Sequence, residues 1–193
     1  YFTGGLLQVT DGVEKSVAII ILNWNGGDVT AECLRSLERQ TRKPDEVIVV
    51  DNGSIDGSNG LIRQDFPGVK LIELPGNLGF AGGVNVGIRA AESDYVMLLN
   101  NDATCEKDCI EQLLKTAYKH EADITQAVIL TAGGKKIDST GDIYTIWGLP
   151  HPSRRNETAS SVPTNDQSIF SGSGGASMYK RSLFDEIGYF DEM

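Results

Sequence analysis

The amino-acid sequence predicts an α/β fold with a mostly parallel central sheet that carries helices on both faces. Five short runs rich in Val, Ile and Leu are bounded by turn residues and are nearly continuous rather than alternating, as in parallel strands buried on both faces. Helical patterns separate these runs at intervals of about 25 residues, which is typical of right-handed βαβ units. The expected strands are residues 17–22, 46–51, 69–74, 94–99 and 123–130.

Three helices are predicted from apolar residues that recur at helical spacing. The first follows the first strand, the second precedes the strand at residues 94–99, and the third spans residues 106–117. Their expected buried faces are Val29, Cys33, Leu34 and Leu37; Val84, Ile88 and Ala91; and Ile110, Leu113, Leu114 and Ala117.

The regular alternation stops near residue 131. Residues 148–168 are polar, contain three of the six prolines and show no periodicity. We therefore expect an irregular loop that is mobile in the free protein and becomes ordered beside a ligand. A strand around residues 176–179 and a short helix over residues 181–187 are predicted after this loop.

Composition and charge restrict the class of protein. At 193 residues, with 40% hydrophobic and 23% charged residues, the chain fits one globular domain. The formal net charge of -10 and the scattered positions of the 17 Lys and Arg residues argue against a nucleic-acid partner. An acidic chain that binds a phosphorylated ligand needs a cation between its carboxylates and the negatively charged phosphate.

Several features predict a cytoplasmic protein. Three cysteines are an odd number that suits a reducing compartment, and Cys105 and Cys109 are expected to be small core residues. Residues 1–15, the predicted N-terminal tail, lack the basic and apolar regions of a signal peptide. No stretch reaches the roughly 18 apolar residues of a membrane span.

Polar, glycine-flanked residues lie at the ends of the predicted strands. "NWNGG" (residues 23–27) follows the first strand, "DNGSIDGS" (51–58) the second and "NNDA" (100–103) the fourth. "GNLGFAGGVNVG" (76–87) lies between the third and fourth strands. These places share one edge of a parallel sheet, so we expect them to line one cleft, where open α/β sheets bind ligands.

Each of these segments also has an ordinary structural explanation. "DNGS" is typical turn chemistry, and "GFAGG" suits a helix that packs closely on a sheet. Trp24 could be a core aromatic residue, and Asp102 could cap the helix expected at residues 106–117. Their coincidence at one edge favours a ligand-binding cleft.

The residue types at this edge suit a nucleotide that carries a diphosphate. Glycines such as Gly79 let the backbone approach a bulky group, and the helix N-terminus beside them presents N–H groups to a phosphate. Asp51 and Asn52 can hydrogen-bond the edge of a base, while Trp24 can stack on its face.

Asp102 is the predicted metal ligand. With Asn100 and Asn101 beside it, Asp102 forms a hard oxygen site that suits Mg²⁺ or Mn²⁺ and is poor for zinc.

Two other nucleotide-binding motifs do not fit. "NWNGGD" lacks the G-x-G-x-x-G of a Rossmann dinucleotide site, and "GGKKI" lacks the Ser or Thr that follows a P-loop lysine.

Five segments, in this order and spacing, resemble the family 2 glycosyltransferases, in particular the branch that contains rhamnosyltransferase-like enzymes. They are "VAIIILNWNG", "EVIVVDNGSIDGS", "NLGFAGGVNVGI", "LLNNDA" and "SGSGGASMYKRSLFDEIGYFDE", and the match covers residues 16–193. The resemblance implies a Rossmann-like nucleotide-diphospho-sugar transferase fold of the GT-A type, a divalent metal cofactor and inversion at the anomeric carbon. It divides the domain into a nucleotide-sugar-binding half (16–130) and an incomplete acceptor-side half (131–193).

The resemblance also assigns roles to particular residues. "NND" stands at the family's D-x-D motif, so Asp102 corresponds to the metal ligand and Asn100 replaces the first aspartate. The turn with Gly172, Gly174 and Gly175 falls on the acceptor side of the cleft. The residues implied to bind the nucleotide sugar are Asn23, Trp24, Asp51, Asn52, Asn77, Gly79, Phe80, Asn85, Asn101 and Asp102.

The general base of the family is an aspartate that follows the "GxFDE" motif, and we expect it beyond Met193. Asp191 and Glu192 belong to that motif, and their expected role is to order the turn. The sequence is therefore interpreted as C-terminally truncated.

The implied activity is transfer of a sugar from a UDP- or dTDP-sugar to a saccharide or lipid-linked acceptor. The expected setting is cell-surface polysaccharide synthesis at the inner face of the membrane, and both peripheral membrane contact and a homodimer are compatible with the sequence. Two alternatives stay open. One is a non-catalytic nucleotide-sugar-binding domain, and the other is a sugar-1-phosphate nucleotidyltransferase, although "NWNGGD" lacks the basic phosphate loop that such an enzyme needs.

Overall fold

A six-stranded sheet forms the centre of the fold. The computed structural model describes residues 15–192, so most of the predicted tail (1–14) and Met193 lie outside the described residues. The strands, numbered in chain order and given in spatial order, are β3 (Lys70–Glu73), β2 (Glu46–Asp51), β1 (Val17–Asn23), β4 (Tyr95–Asn100), β10 (Ala176–Lys180) and β5 (Ile124–Gln126).

The pairing of these strands confirms the mostly parallel sheet. β1 pairs in parallel with β2 and β4, and β2 pairs in parallel with β3. β10 runs antiparallel to both of its neighbours, β4 and β5. The register sets Asn23 beside Asp51 and Leu22 beside Asn100, so the carboxyl ends of β1, β2 and β4 meet at one edge.

Helices cover both faces of the sheet, as predicted. Residues of β1 alternate between two cores: Ile19 packs in the first and Ile20 in the second. Among the described residues, no helix is long and apolar enough to cross a bilayer. The helices of the first face are α1 (Gly27–Glu38), α2 (Ser58–Asp65) and α4 (Cys109–His120), and those of the second are α3 (Gly79–Ala90) and α5 (Leu183–Ile187).

Two details of the helices differ from the sequence interpretation. Helix α2 is not predicted by apolar spacing because its buried apolar contact depends on one short pair, Leu61 and Ile62. Val29 belongs to the predicted face of α1, yet it is exposed, whereas Cys33, Leu34 and Leu37 are buried.

The single strand expected at residues 123–130 is wrong in its second half. The structure divides this run into β5 and a separate strand, β6 (Ile129–Leu130), which pairs with β7 (Ile137–Ser139). The physical reason is the polar side chain of Gln126, whose Oε1 accepts a hydrogen bond of 2.6 Å from the backbone N of Ser173. The chain leaves the central sheet just after this contact.

The segment at residues 148–168 is more regular than the sequence predicts. It contains β9 (Pro150–Pro152), which pairs with β8 (Asp142–Tyr144), and a 3₁₀ helix at Ala159–Ser161. The expectation of a wholly irregular loop is therefore wrong, because hairpin hydrogen bonds compensate for the missing apolar periodicity. Ordering of this segment beside a ligand stays a prediction.

Helix α3 packs closely on the sheet at two of its glycines, Gly83 and Gly87. A Cβ atom at Gly87 would lie 2.5 Å from Cγ2 of Ile20, and one at Gly83 would collide with Leu22. The two glycines thus set how near the start of α3 comes to the carboxyl ends of β1 and β2.

We predict opposite effects for two Gly→Ala substitutions. Gly87→Ala should lower the free energy of unfolding by about 1–3 kcal/mol, because the new methyl group overpacks against Ile20. Gly60→Ala, at an exposed position in the first turn of α2, should raise it by up to about 1 kcal/mol through helix propensity, since nothing lies within 4 Å of its added Cβ. Urea unfolding of both variants measures the difference, and equal effects would contradict the close-packing argument.

Candidate functional site

A cleft of about 290 Å³ opens at the carboxyl edge of the sheet. It lies where the ends of β1 and β4 meet the start of α3, and the strand order reverses between β1 and β4. Such a reversal is the usual ligand site of open α/β sheets. Five residues predicted from the sequence line this cleft: Trp24, Phe80, Asn101, Asp102 and Gly174.

Two aromatic rings border the cleft and are largely open to solvent. Trp24 is 57% exposed and Phe80 is 48% exposed, so Trp24 is not the core residue that its alternative explanation required. Phe80 belongs to the first turn of α3. A Cβ atom at Gly174 would lie 2.7 Å from Cζ of Phe80, so only glycine lets the chain pass this ring so closely.

The predicted acceptor-side turn is joined firmly to β4. The backbone N of Asn100 donates a hydrogen bond of 3.0 Å to the carbonyl oxygen of Gly175. A Cβ atom at Gly172 would lie 2.8 Å from Oγ of Ser177, and that hydroxyl donates to the carbonyl oxygen of Ser173 at 2.6 Å. The turn is therefore held by its own strand and by the site-bearing strand.

Asp102 is exposed in the turn that follows β4. It does not cap a helix, because α4 begins at Cys109 and Asp108 occupies the N-cap position. Burial, with a contribution from the negative charge of Asp102, raises the pKa of the Cys33 thiol to about 12. Cys33 is therefore a neutral thiol at neutral pH.

The side chains around Asp102 fit a cation that is shared with a ligand. Among residues 15–192, no three His, Cys, Asp or Glu side chains cluster to hold a metal ion. Mg²⁺ and Mn²⁺ sites in nucleotide enzymes use one or two carboxylates, and water and substrate phosphates complete the coordination. One exposed carboxylate at the switch point of the sheet suits that arrangement.

Below the cleft lies a buried hydrogen-bond network centred on Asn23. Its Nδ2 donates to Oδ1 of Asp51 at 2.7 Å and to Oγ of Ser58 at 2.9 Å, and its Oδ1 accepts from the hydroxyl of Thr30 at 2.8 Å. Nδ2 of Asn101 donates to the same Thr30 hydroxyl at 3.1 Å. One side chain thus links the ends of β1 and β2, both following helices and the turn after β4.

The sequence analysis does not identify two members of this network, Thr30 and Ser58. Both are fully enclosed at the starts of helices α1 and α2, facing the sheet edge. A Thr three residues into an amphipathic helix carries no signal of its own, since Thr is common on either face. The burial of such a polar residue can be recognised only after the strands are placed in register.

Asp51 and Asn52 are both buried. The second oxygen of Asp51 accepts from the backbone N of Ser54 at 2.9 Å. The Nδ2 of Asn52 donates to Oδ1 of Asn77 at 3.0 Å and to the carbonyl oxygen of Gly79 at 3.1 Å. These contacts tie the end of β2 to the loop before α3, and direct contact of either residue with a base stays a prediction.

Asn85 is not among the residues that line the cleft, although its chain neighbour Val84 is. The resemblance sets it beside the nucleotide, whereas the structure buries it on α3 with the C-terminal segment as its partner. Its Nδ2 donates to the carbonyl oxygen of Phe190 at 2.8 Å and to Oε1 of Glu192 at 2.7 Å, and its Oδ1 accepts from the backbone N of Phe190 at 3.0 Å. Nucleotide contact by Asn85 stays a prediction, and the observed contacts give it the role of a clamp.

Glu192 makes a second contact with α3. Its carboxylate lies 3.6 Å from the guanidinium of Arg89, and that guanidinium stacks over the ring of Tyr189 at 4.4 Å. These contacts agree with the expectation that Glu192 orders its turn, whereas the same role for Asp191 stays a prediction.

The chain belongs to glycosyl transferase family 2, because residues 18–188 match the model of that family. It is 29% identical over 177 residues to the uncharacterized glycosyltransferase YwdF of Bacillus subtilis, a match that covers 91% of this chain and 62% of the relative. It is 25% identical over 197 residues to the N-acetylglucosaminyl-diphospho-decaprenol L-rhamnosyltransferase of Mycobacterium tuberculosis, covering 90% and 64% respectively.

Solved structures share the fold at low identity. The mannosyltransferase PcManGT from Pyrobaculum calidifontis, in complex with GDP-Man and Mn²⁺, superposes with a TM-score of 0.66 at 19% identity. S. aureus TarS 1–349 in complex with UDP gives 0.65 at 19% identity. Each match covers 92% of this chain, and the chain spans 48% and 50% of those proteins. The expected GT-A type fold is confirmed.

We predict that Asn23→Ala lowers the free energy of unfolding by about 2–4 kcal/mol, because it leaves buried donors and acceptors without partners. Asn101→Ala is the matched control. It removes one partly buried hydrogen bond to Thr30 and should cost less than about 1 kcal/mol. Chemical denaturation gives both values, and a small effect of Asn23→Ala would show that the network is not central to the edge.

Proposed function

We propose that this chain binds the donor of an inverting glycosyltransferase that moves a sugar from a UDP- or dTDP-sugar to a saccharide or lipid-linked acceptor. The observation that carries the proposal is the exposed Asp102 carboxylate at the switch-point cleft, beside the rings of Trp24 and Phe80. Membership in glycosyl transferase family 2 supports it.

In this proposal, the base of the donor stacks on Trp24. The half-exposed indole offers an apolar face on which any base can stack. Such stacking binds the nucleotide without hydrogen bonds to the edge of its base. Asp51 and Asn52 hold the neighbouring loops rigid, so the base meets a preformed edge. The first turn of α3, after Gly79, offers backbone N–H groups to the diphosphate.

Asp102 would hold the divalent cation, Mg²⁺ or Mn²⁺, together with the donor diphosphate. When bound, that ion supplies neutralisation of the negative charge that develops on the leaving diphosphate. The neutral amides of Asn100 and Asn101 precede the carboxylate in the chain and add no charge. A single protein carboxylate makes cation and donor binding mutually dependent.

The proposed reaction is a direct displacement at the anomeric carbon. A general base removes the proton of an acceptor hydroxyl, whose oxygen attacks from the face opposite the diphosphate, which inverts the configuration. The turn at Gly172, Gly174 and Gly175 borders the acceptor side. The carboxylate of Glu192 is engaged by Asn85 and Arg89, which supports the expectation that the base is a different residue, placed by the resemblance beyond Met193.

The setting that we propose is polysaccharide synthesis at the inner face of the membrane, with hexosyl or rhamnosyl transfer. The Mycobacterium tuberculosis relative is named as a rhamnosyltransferase of a decaprenol-linked sugar, which supports a lipid-linked acceptor. Another relative is the poly(ribitol-phosphate) beta-glucosyltransferase of Bacillus spizizenii, 27% identical over 176 residues.

We predict that Asp102→Asn removes Mn²⁺-dependent affinity for a nucleoside diphosphate, with a loss of at least about tenfold, while thermal stability stays unchanged because the side chain is exposed. Asp65→Asn, another exposed carboxylate at the end of α2, is the matched control. Titration calorimetry with UDP, dTDP and GDP, with and without Mn²⁺, measures the affinity. An unchanged Mn²⁺ dependence in Asp102→Asn would refute the metal assignment.

A second prediction concerns the base. Trp24→Ala should weaken nucleotide binding by about 1–3 kcal/mol for every base tested, because stacking is lost, whereas Trp24→Phe should retain most of the affinity. The same calorimetric panel gives the comparison. Equal affinity of Trp24→Ala and the unmodified chain would remove Trp24 from the donor site.

A further inference from the structure

The hairpin formed by β8 and β9 ends in an exposed apolar tip. Ile146 is 92% exposed, Trp147 is 81% exposed and Leu149 is 64% exposed. Residues 143–150 contain no charged side chain, and the neighbours Ile143 and Tyr144 are also exposed. A contiguous apolar surface of this kind marks an interaction site on a folded protein.

Three backbone N–H groups of the tip form hydrogen bonds within it. The N atom of Thr145 donates to the carbonyl oxygen of Leu149 at 2.9 Å, and the N atom of Gly148 donates to the carbonyl oxygen of Thr145 at 2.9 Å. The N atom of Leu149 donates to the Thr145 hydroxyl at 3.2 Å. The pairing of these three N–H groups lowers the cost of removing the tip from water.

The hairpin is attached to the segment that borders the cleft. The backbone N of Asp142 donates to the carbonyl oxygen of Ser171 at 2.9 Å, and the ring of Tyr144 packs on Phe170 at 5.1 Å between centroids. Phe170 is itself exposed, so the apolar surface continues from the tip to the start of the turn that leads to Gly174. These contacts connect the tip to the segment that borders the candidate site.

We propose that this tip inserts into the interfacial layer of a lipid bilayer. An indole has an apolar body and a polar N–H, and it favours the level of the lipid head groups, while Ile146 and Leu149 suit the acyl boundary beneath. The chain carries a formal net charge of -10 and the tip carries none, so insertion depends on apolar burial and requires no anionic lipid.

A bilayer suits the tip better than a second copy of the chain does. Three protruding side chains offer on the order of 500 Å² per copy, so two copies would bury about 1,000 Å², whereas stable protein interfaces bury roughly 1,200–2,000 Å² in total. A bilayer accepts a small wedge because it has no shape to match. Combined with the proposed function, the insertion would hold the cleft at the membrane surface, where a lipid-linked acceptor lies.

Vesicle binding of matched variants tests the proposal. The full chain should co-sediment with phosphatidylcholine vesicles. Trp147→Ser or Ile146→Ser should each reduce the partition coefficient about tenfold, since each removes an apolar side chain that the bilayer would bury. Ile55→Ser is the control, because Ile55 is also 92% exposed but lies on another loop. Vesicle binding that is absent, or that falls equally in Ile55→Ser, would overturn the proposal.

Fluorescence gives an independent readout. Trp24 and Trp147 are the two tryptophans, so Trp147 is the single reporter in a Trp24→Phe background. Its emission should shift to the blue on addition of the same vesicles, and no shift would overturn the proposal. A change of sedimentation mass without lipid on Trp147→Ser would replace the bilayer by a second copy of the chain.

These measurements are separable from the donor assignment. Asp102→Asn should leave vesicle partitioning unchanged, and Trp147→Ser should leave the calorimetric affinity for nucleoside diphosphates in vesicle-free solution unchanged. Failure of one proposal therefore does not imply failure of the other.

Discussion

The side-chain amide of Asn23 is the interaction on which the site edge depends. The end of a buried parallel strand leaves polar groups of several elements close together, and each would be costly without a partner. Asn23 hydrogen-bonds the carboxylate of Asp51, the hydroxyl of Ser58 and the hydroxyl of Thr30 with one side chain. Because these bonds are buried and consecutive, each polarises the next, and the network fixes the floor of the cleft.

The two sides of the cleft differ in how they are supported. The donor side rests on this network and on α3, which packs against Leu22 and Ile20 through glycine. On the acceptor side, the segment from residue 127 to 171 has only three buried residues, which are Ile137, Ser139 and Gly141. A segment with so little buried apolar area opens locally at low cost. In the proposed function, a rigid donor site thus faces an adaptable acceptor side.

The sequence predicts the elements whose signal is strong and local. Strands β1, β2 and β4 are placed within one residue because their apolar runs are continuous and end at Asn or Asp. Helix α2 and the hairpin at residues 142–152 are missed because hydrogen bonds, rather than apolar periodicity, define them. The cleft residues Trp24 and Asp102 follow from their place at strand ends, whereas Phe80 is implied by the family resemblance. The partners of Asn85 do not, because a contact across more than 100 residues leaves no local pattern.

Two aspartates at the same edge have opposite environments, and this difference assigns their roles. Asp51 accepts hydrogen bonds on both oxygens while enclosed, so its charge is balanced by fixed donors, and offering it to a ligand would break the network. Asp102 follows its strand by two residues, beyond the sheet, and is exposed. Water can leave Asp102 without disturbing any buried group. In the proposed function, Asp102 is therefore the ligand of a cation that binds and departs with each donor, whereas Asp51 maintains the shape of the site.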